Sequence, residues 1–301
     1  MSWLNRDYDM IKGKYGPRMI LTDAWNNKML SVISKKKVLE LELNPAKGWK
    51  RGSLDFLSEL SRLVAFEIVD EKTKDVYPMH NLSKLRYLKV LTYCNTPIDF
   101  TCYPELEEIS LEWREKASSL YDCTTLKKVF INNCTAKSLK AFGRLNLLEH
   151  LSLKSPRLDM IGDVTSLKRL KFLGIYNAKN LNSLEGIEQF ENLQMLEIDT
   201  CRKITDIEPI QTLTKLKRLM IANCGEIASL KPVIELKQLE ELFFHESTKI
   251  MDGDLAILKE LPRLEDTSFQ ERRHYNCKWE DLPMRCSKKE LQKARELLRR
   301  G

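Results

Sequence analysis

The chain has 301 residues, with 50 Lys and Arg against 43 Asp and Glu, a formal net charge of +7 and 43% hydrophobic residues. No run approaches about 18 consecutive apolar residues, which argues against a helical membrane span, and the opening MSWLNRDYDMIKGKYG carries charges where a signal peptide has an apolar stretch. A charge this diffuse reads as a solvated, Lys- and Glu-rich surface rather than a nucleic-acid footprint, and the expected compartment is a reducing cytosol.

In chain order, residues 1–18 read as an N-terminal cap, with Trp3, Leu4, Tyr8 and Ile11 as its apolar side. Met19 and Leu21 look like a first strand, backed by Trp25, Leu30 and Ile33; the run Lys35-Lys36-Lys37 reads as solvated. A recurring L-x-x-L-x-L pattern then begins: Val38-Leu41-Leu43, Leu63-Phe66-Ile68, Leu85-Leu88-Val90, Leu106-Ile109-Leu111, Leu126-Val129-Ile131, Leu148-Leu151-Leu153, Leu170-Leu173-Ile175, Leu193-Leu196-Ile198, Leu216-Leu219-Ile221, Leu239-Leu242-Phe244, and a worn copy at Leu261-Leu264. Its first residues are spaced by 25, 22, 21, 20, 22, 22, 23, 23, 23 and 22. Between strands, Ser53 is expected to cap a short helix through Leu60, and Val69–Asn81 to form an irregular polar excursion. Pro97 and Pro104 favour extended chain over Leu82–Leu106, while Asp252-Gly253-Asp254 looks like the cap of a helix at Leu255–Glu260. Residues 270–301 read as a C-terminal cap followed by a helix that opens with Ser287-Lys288-Lys289-Glu290 and carries Leu291, Ala294, Leu297 and Leu298 on one side.

The cleanest copy, Ile204–Cys224 (ITDIEPIQTLTKLKRLMIANC), explains the pattern. Its apolar residues Ile204, Ile207, Ile210, Leu213, Leu216 and Leu219 step by three, a period that suits neither a strand nor an α-helix. It suits a coil that sets one residue inward at each bend and ends in a short strand. One such coil cannot bury its own open faces, so copies must stack. Cys134, Cys201 and Cys224 stand three residues after the second inward strand residue, where Ala178, Pro156 and Ser247 stand in other copies; Cys94 lies one residue off this position. A cysteine there is read as a small core filler.

The chain resembles leucine-rich repeat proteins over about Met19–Leu264, and the Ile204–Cys224 copy is similar to the bacterial, internalin-like repeat. The resemblance implies an α/β solenoid of about eleven or twelve copies over residues 19–269, with a curved parallel sheet on the concave side, short helices or turns on the convex side, and capped ends. It also implies that the concave side binds a protein or peptide.

Counted from the first residue of each copy, the groove positions carry twelve acidic residues, among them Glu40, Glu42, Glu67, Asp70, Glu108, Glu112, Glu197, Asp199 and Glu241. They carry six basic ones, among them Arg18, Lys128, Lys154 and Arg218. A partly basic partner is therefore expected. Trp113, Lys128, Phe130, His150, Lys154, Phe172 and Tyr176 form a stretch without carboxylates, and Met195, Met220, Phe243 and His245 carry an apolar stripe onward; such clusters mark binding sites.

Catalysis is not expected. His150 and His245 fall four strands apart, about 19 Å at ordinary strand spacing, Ser152 lacks a carboxylate orienter beside His150, and no G-x-S-x-G, P-loop or H-E-x-x-H occurs. His274, Cys277 and Cys286 fall short of a four-ligand metal set, and no cofactor or small-molecule substrate is expected. Two alternative roles are an immunity or inhibitor protein against a basic toxin or enzyme, and a nucleic-acid-associated protein using the basic convex face and the Ala294–Arg300 tail.

Overall fold

The computed structural model describes residues 7–283. The chain forms two compact units, the first running to Thr135 and taking in Ala141–Leu153, the second holding Ala136–Lys140 and the residues from Lys154 on. The predicted terminal helix from Ser287 lies outside the described residues.

The first unit carries β1 (Tyr8–Lys12), β2 (Pro17–Leu21), the helix α1 (Lys28–Lys36), β3 (Glu40–Leu43), β4 (Ala65–Val69), β5 (Tyr87–Leu91), β6 (Glu108–Glu112), β7 (Lys128–Asn132) and β8 (His150–Lys154). Strands β2 to β8 pair parallel in chain order. The expected cap is an edge hairpin, β1 lying antiparallel to β2. Its Ile11 is 48% exposed rather than packed as an apolar cover. Met19 and Leu21 are fully buried, as expected for a first strand. The three-lysine run closes α1, with Lys37 in the left-handed region at its C-terminus.

The second unit carries β9 (Phe172–Tyr176), β10 (Met195–Asp199), β11 (Arg218–Ala222), the two-residue β12 (Glu226–Ile227), β13 (Glu241–His245), the two-residue β14 (Lys249–Ile250) and β15 (Asp266–Phe269). Strands β9, β10, β11, β13 and β15 pair parallel in that order. In both units the predicted inward residues of L-x-x-L-x-L are buried, Leu196, Leu219 and Leu242 completely.

The period of three has a hydrogen-bond cause. In the Ile204–Cys224 copy the amides of four inward residues donate to the carbonyl three residues earlier: Ile204 to Cys201 at 3.1 Å, Ile210 to Ile207 at 3.0 Å, Leu213 to Ile210 at 2.9 Å and Leu216 to Leu213 at 2.8 Å. This is the 3-10 pattern, in which residues three apart share a face. Expected helices at Ser53–Leu60 and Leu255–Glu260 are accordingly 3-10 turns, Asp55–Glu59 and Ala256–Glu260. The region with Pro97 and Pro104 also contains one, at Phe100–Cys102. Nor is Val69–Asn81 a loose excursion. Val76 and Met79 are fully buried, and Asp70 pairs with Arg51 at 2.8 Å and accepts the Thr73 hydroxyl at 2.8 Å.

After β7, β9, β10, β11 and β13 the chain turns inward through a left-handed residue: Asn133, Asn177, Thr200, Asn223 and Glu246 have φ between 52° and 58°. Asparagine tolerates this region better than most side chains. The next residue in the copies that carry Cys134, Ala178, Cys201 and Cys224 points into the core. Pro156 and Ser247 do not take that place. Their neighbours Ser155 and Thr248 do, 0% and 1% exposed, because an inward hydroxyl there can meet a backbone carbonyl. Thr248 Oγ1 donates to Ile221 O at 3.1 Å, much as Cys224 Sγ donates to Ala222 O at 3.1 Å. The last copy also differs. The β13–β15 register sets Leu242 beside Thr267 and Phe244 beside Phe269, so the copy begins at Leu264 rather than Leu261. Phe269 stacks on Phe244 with ring centroids 4.7 Å apart, and Asn276 Oδ1 accepts the amides of Leu255 and Ala256, closing this end.

Candidate functional site

In the first unit the open face of the sheet is occupied from within. The β1–β2 turn places Arg18 among three groove carboxylates: its guanidinium lies 2.5 Å from Glu42, 2.9 Å from Glu67 and 3.7 Å from Glu40. Lys47 reaches Glu42 at 2.6 Å, and Lys89 lies 3.8 Å from Glu67. The Tyr15 amide donates to Glu40 at 2.5 Å, and Gly13 lies so close to the Glu40 carboxylate that a Cβ would overlap it. Lys14 crosses to β6 and pairs with Glu108 at 2.6 Å, while the Arg86 guanidinium lies 5.2 Å from the Tyr15 ring. Burial pushes the Glu42 carboxyl up, but the hydrogen bonds from Lys47 and Arg18 outweigh it and hold the group below the ordinary glutamate value. Burial, and then the neighbouring Glu67, push the Tyr87 phenol above its usual range.

Further along this unit, Glu108, Lys128 and His150 stand in one cross-strand row, and Phe130 lies one row on. Lys128 is exposed and pairs with Glu108 at 3.4 Å; Phe130 and His150 are half-buried. Glu112 is buried and accepts the side-chain amides of Asn132 at 2.6 Å and Asn133 at 2.5 Å. Trp113 packs against Tyr121, with centroids 5.3 Å apart.

In the second unit the open face is built by register alone. One row runs Phe172, Met195, Arg218, Glu241 and Asp266; the next Gly174, Glu197, Met220, Phe243 and Ser268; the third Tyr176, Asp199, Ala222 and His245. Phe172, Met195, Met220, Phe243 and His245 are all half-exposed. Arg218 lies 2.7 Å from Glu241 and 3.8 Å from Glu197, with its guanidinium 5.1 Å from the Phe243 ring centroid. Phe243 in turn stacks near His245 at 6.2 Å. Burial lowers the His245 pKa, more than Glu246 raises it, which favours the neutral imidazole. Four carboxylates, Glu197, Asp199, Glu241 and Asp266, share these rows with one guanidinium. Lys154, the last residue of β8 and the one β8 residue that belongs to the second unit, is exposed.

Tyr176 does not stand out from the sheet. Its ring lies over Gly174, where a Cβ would meet the phenol oxygen at 2.6 Å, and its hydroxyl donates to Glu197 at 2.6 Å. Gly174→Val should therefore expel the ring and cost about 1–3 kcal/mol. In a Tyr176→Ala background that cost should fall by about 1 kcal/mol or more, as a double-mutant cycle of urea melts will read. Equal costs in both backgrounds would contradict the placement.

No protein-family model matches the chain, and no curated protein matches it. Solved structures do. An internalin of Listeria monocytogenes, InlF, aligns with a TM-score of 0.57 at 18% identity, covering 90% of this chain and 86% of its own. The functional domain of InlJ from the same organism, described as including a cysteine ladder, aligns with a TM-score of 0.55 at 18% identity, covering 84% of this chain and 60% of its own. This is a leucine-rich repeat fold of the internalin kind.

The leucine-rich repeat register puts most of the predicted groove residues on the sheet face opposite the core, with Glu112 buried there. Phe172, Tyr176, Met195, Glu197, Asp199, Met220, Glu241, Phe243 and His245 come together in the second unit, and Glu108, Glu112, Trp113, Lys128, Phe130 and His150 gather on β6–β8 and the turn after β6 in the first. Sequence reasoning missed Lys14 and Tyr15, which cover the first unit's carboxylates, and Gly174. The glycines flanking Lys14-Tyr15 were the available signal for a tight turn lying close against another surface. At the C-terminal cap, the His274 ring meets the Ile250 carbonyl at 2.9 Å, Cys277 is buried, and Cys286 lies outside the described residues. Among the described residues no helix is long and apolar enough to cross a membrane.

Proposed function

We propose that the chain is a protein-binding module that acts by recognition rather than catalysis, and that the open face of β9–β13 holds a protein or peptide of basic character. The observation that carries this reading is the second unit's side-chain array. Half-exposed Phe172, Met195, Met220 and Phe243 lie on paired strands among four carboxylates and a single guanidinium. Rigid aromatic and Met side chains on a sheet supply contact area at small ordering cost, and the surplus of carboxylates favours Lys and Arg on the incoming partner. The first unit's Glu40, Glu42 and Glu67 are paired within the chain, so the acidic character offered to a partner concentrates in the second. Cys201 and Cys224 fill the core as buried thiols, which suits a reducing compartment.

Affinity capture with the full chain, identification of the partner and calorimetry with the purified partner test this reading. Met220→Ala combined with Phe243→Ala removes side chains paired across β11 and β13 and should weaken binding at least about 30-fold, the effect of losing about 2 kcal/mol at a hot spot. Binding should also weaken as salt rises. Unchanged affinity in the double variant would contradict the site.

A further inference from the structure

The inward position after β7, β9, β10 and β11 holds Cys134, Ala178, Cys201 and Cys224, but in the copy of β6 the equivalent residue is Arg114, which is more than nine-tenths buried at 7% exposure. Among the described residues no carboxylate pairs with this guanidinium. Its Nη2 donates to the Thr92 carbonyl at 2.8 Å and the Thr92 hydroxyl at 3.0 Å, its Nε has no partner, and its Nη1 points at Cys94 Sγ, 3.2 Å away. A buried cation without an anion is costly, and the group it is aimed at can become one. We propose that Cys94 is a modification site, a partly exposed sulfur within 3.2 Å of the Arg114 guanidinium that reacts with small soft electrophiles such as alkyl halides and hydroperoxides.

The groups around the sulfur are the Thr92 hydroxyl at 3.4 Å, the hydroxyl and amide of Thr96, and Arg114, which carries the charge. Burial pushes the thiol up, but Thr92, Arg114 and Thr96 outweigh it and hold Cys94 below the ordinary cysteine value. The contrast within the chain is sharp. Burial raises Cys102, Cys123 and Cys277, and drives the core fillers Cys201 and Cys224 up to about 11 and about 12. Cys94 sits one residue beyond the filler position, at the rim rather than in the core, so an electrophile can approach it. With an alkyl halide, the sulfur lone pair forms an S–C bond as the carbon–halogen bond breaks and halide departs with its electrons. With a hydroperoxide, sulfur takes one oxygen and is oxidised by two electrons to a sulfenate, the O–O bond breaks, and the displaced hydroxide or alkoxide leaves as water or alcohol after taking up a proton. Arg114 would then face the sulfenate anion.

The experiment is iodoacetamide labelling of the folded full chain across pH, read site by site by peptide mass spectrometry. Cys94 should label ahead of Cys102 and Cys123, with its rate rising at lower pH than theirs. Arg114→Met should move that rise upward and slow Cys94 labelling at pH 7 by roughly tenfold, because the thiolate loses its neighbouring cation, while Arg114→Lys keeps part of the effect. Should Arg114→Met fail to fold, the wild-type order decides. A Cys94 rate that rises with pH alongside Cys102, or that ignores the loss of Arg114 in a folded variant, would overturn the proposal.

Discussion

Arg18→Met should cost about 3–5 kcal/mol of stability at pH 7, the range for breaking a buried ion pair and leaving its partners uncompensated. Three carboxylates converge on this guanidinium, and Glu40, Glu42 and Glu67 are each 9% exposed or less. Lys47 and Lys89 remain near two of them, but among the described residues Glu40 keeps the Tyr15 amide and no cation. The pH dependence identifies the cause. The folded-state Glu42 carboxyl is held below its ordinary value, so its contribution is fully present above the unfolded glutamate pKa, about 4.3, and is lost as pH falls through the lowered folded value. In the variant a carboxylate deprived of its cation escapes by taking up a proton. The gap between wild type and variant should therefore be wide at pH 7 and smaller at about pH 3, below the unfolded carboxyl pKa. Urea melts at both values measure it; an equal gap at both would mean that lost packing, not charge, is responsible.

The second large effect is expected one strand deep in the repeat stack. Leu219→Ala should cost about 2–5 kcal/mol, because Leu219 is fully buried between Leu196 and Leu242 of the adjoining strands and little can collapse into the space left behind. Its neighbour Met220 points to the opposite face and is half-exposed, so Met220→Ala should cost under about 1 kcal/mol of stability while weakening binding. Thermal or urea unfolding of the two single variants reads this alternation directly. A costlier Met220 substitution would mean that the strand faces are reversed.

The repeats were legible because their signal is redundant: the same inward spacing, set by a 3-10 hydrogen-bond chain and a two-residue strand alternation, recurs in every copy. Where a copy departs from the pattern, the reading slipped. Leu261 and Leu264 are both apolar and three apart, so only the pairing of Thr267 with Leu242 shows that Leu264 begins the last copy. The inward filler of two copies is a hydroxyl, Ser155 or Thr248, displaced by one residue from Pro156 or toward Ser247's other side. Residues facing the open side were legible from the same register, yet their company was not. Lys14 meets Glu108 across 94 residues of sequence, a contact that no local pattern encodes, and it changes the first unit's face from an open acidic surface to one paired internally. Tyr176 likewise reads as a protruding anchor until Gly174 is seen to leave room for the ring to lie down.

The most direct test of the account is oxidative footprinting of methionines with and without the captured partner at saturation. Met195 and Met220 lie half-exposed on the proposed face, whereas Met160 and Met251, 58% and 49% exposed, lie off the strands and serve as internal controls. The account predicts that the partner protects Met195 and Met220 while Met160 and Met251 oxidise as before. Unaltered oxidation of Met195 and Met220 in the saturated complex would contradict it.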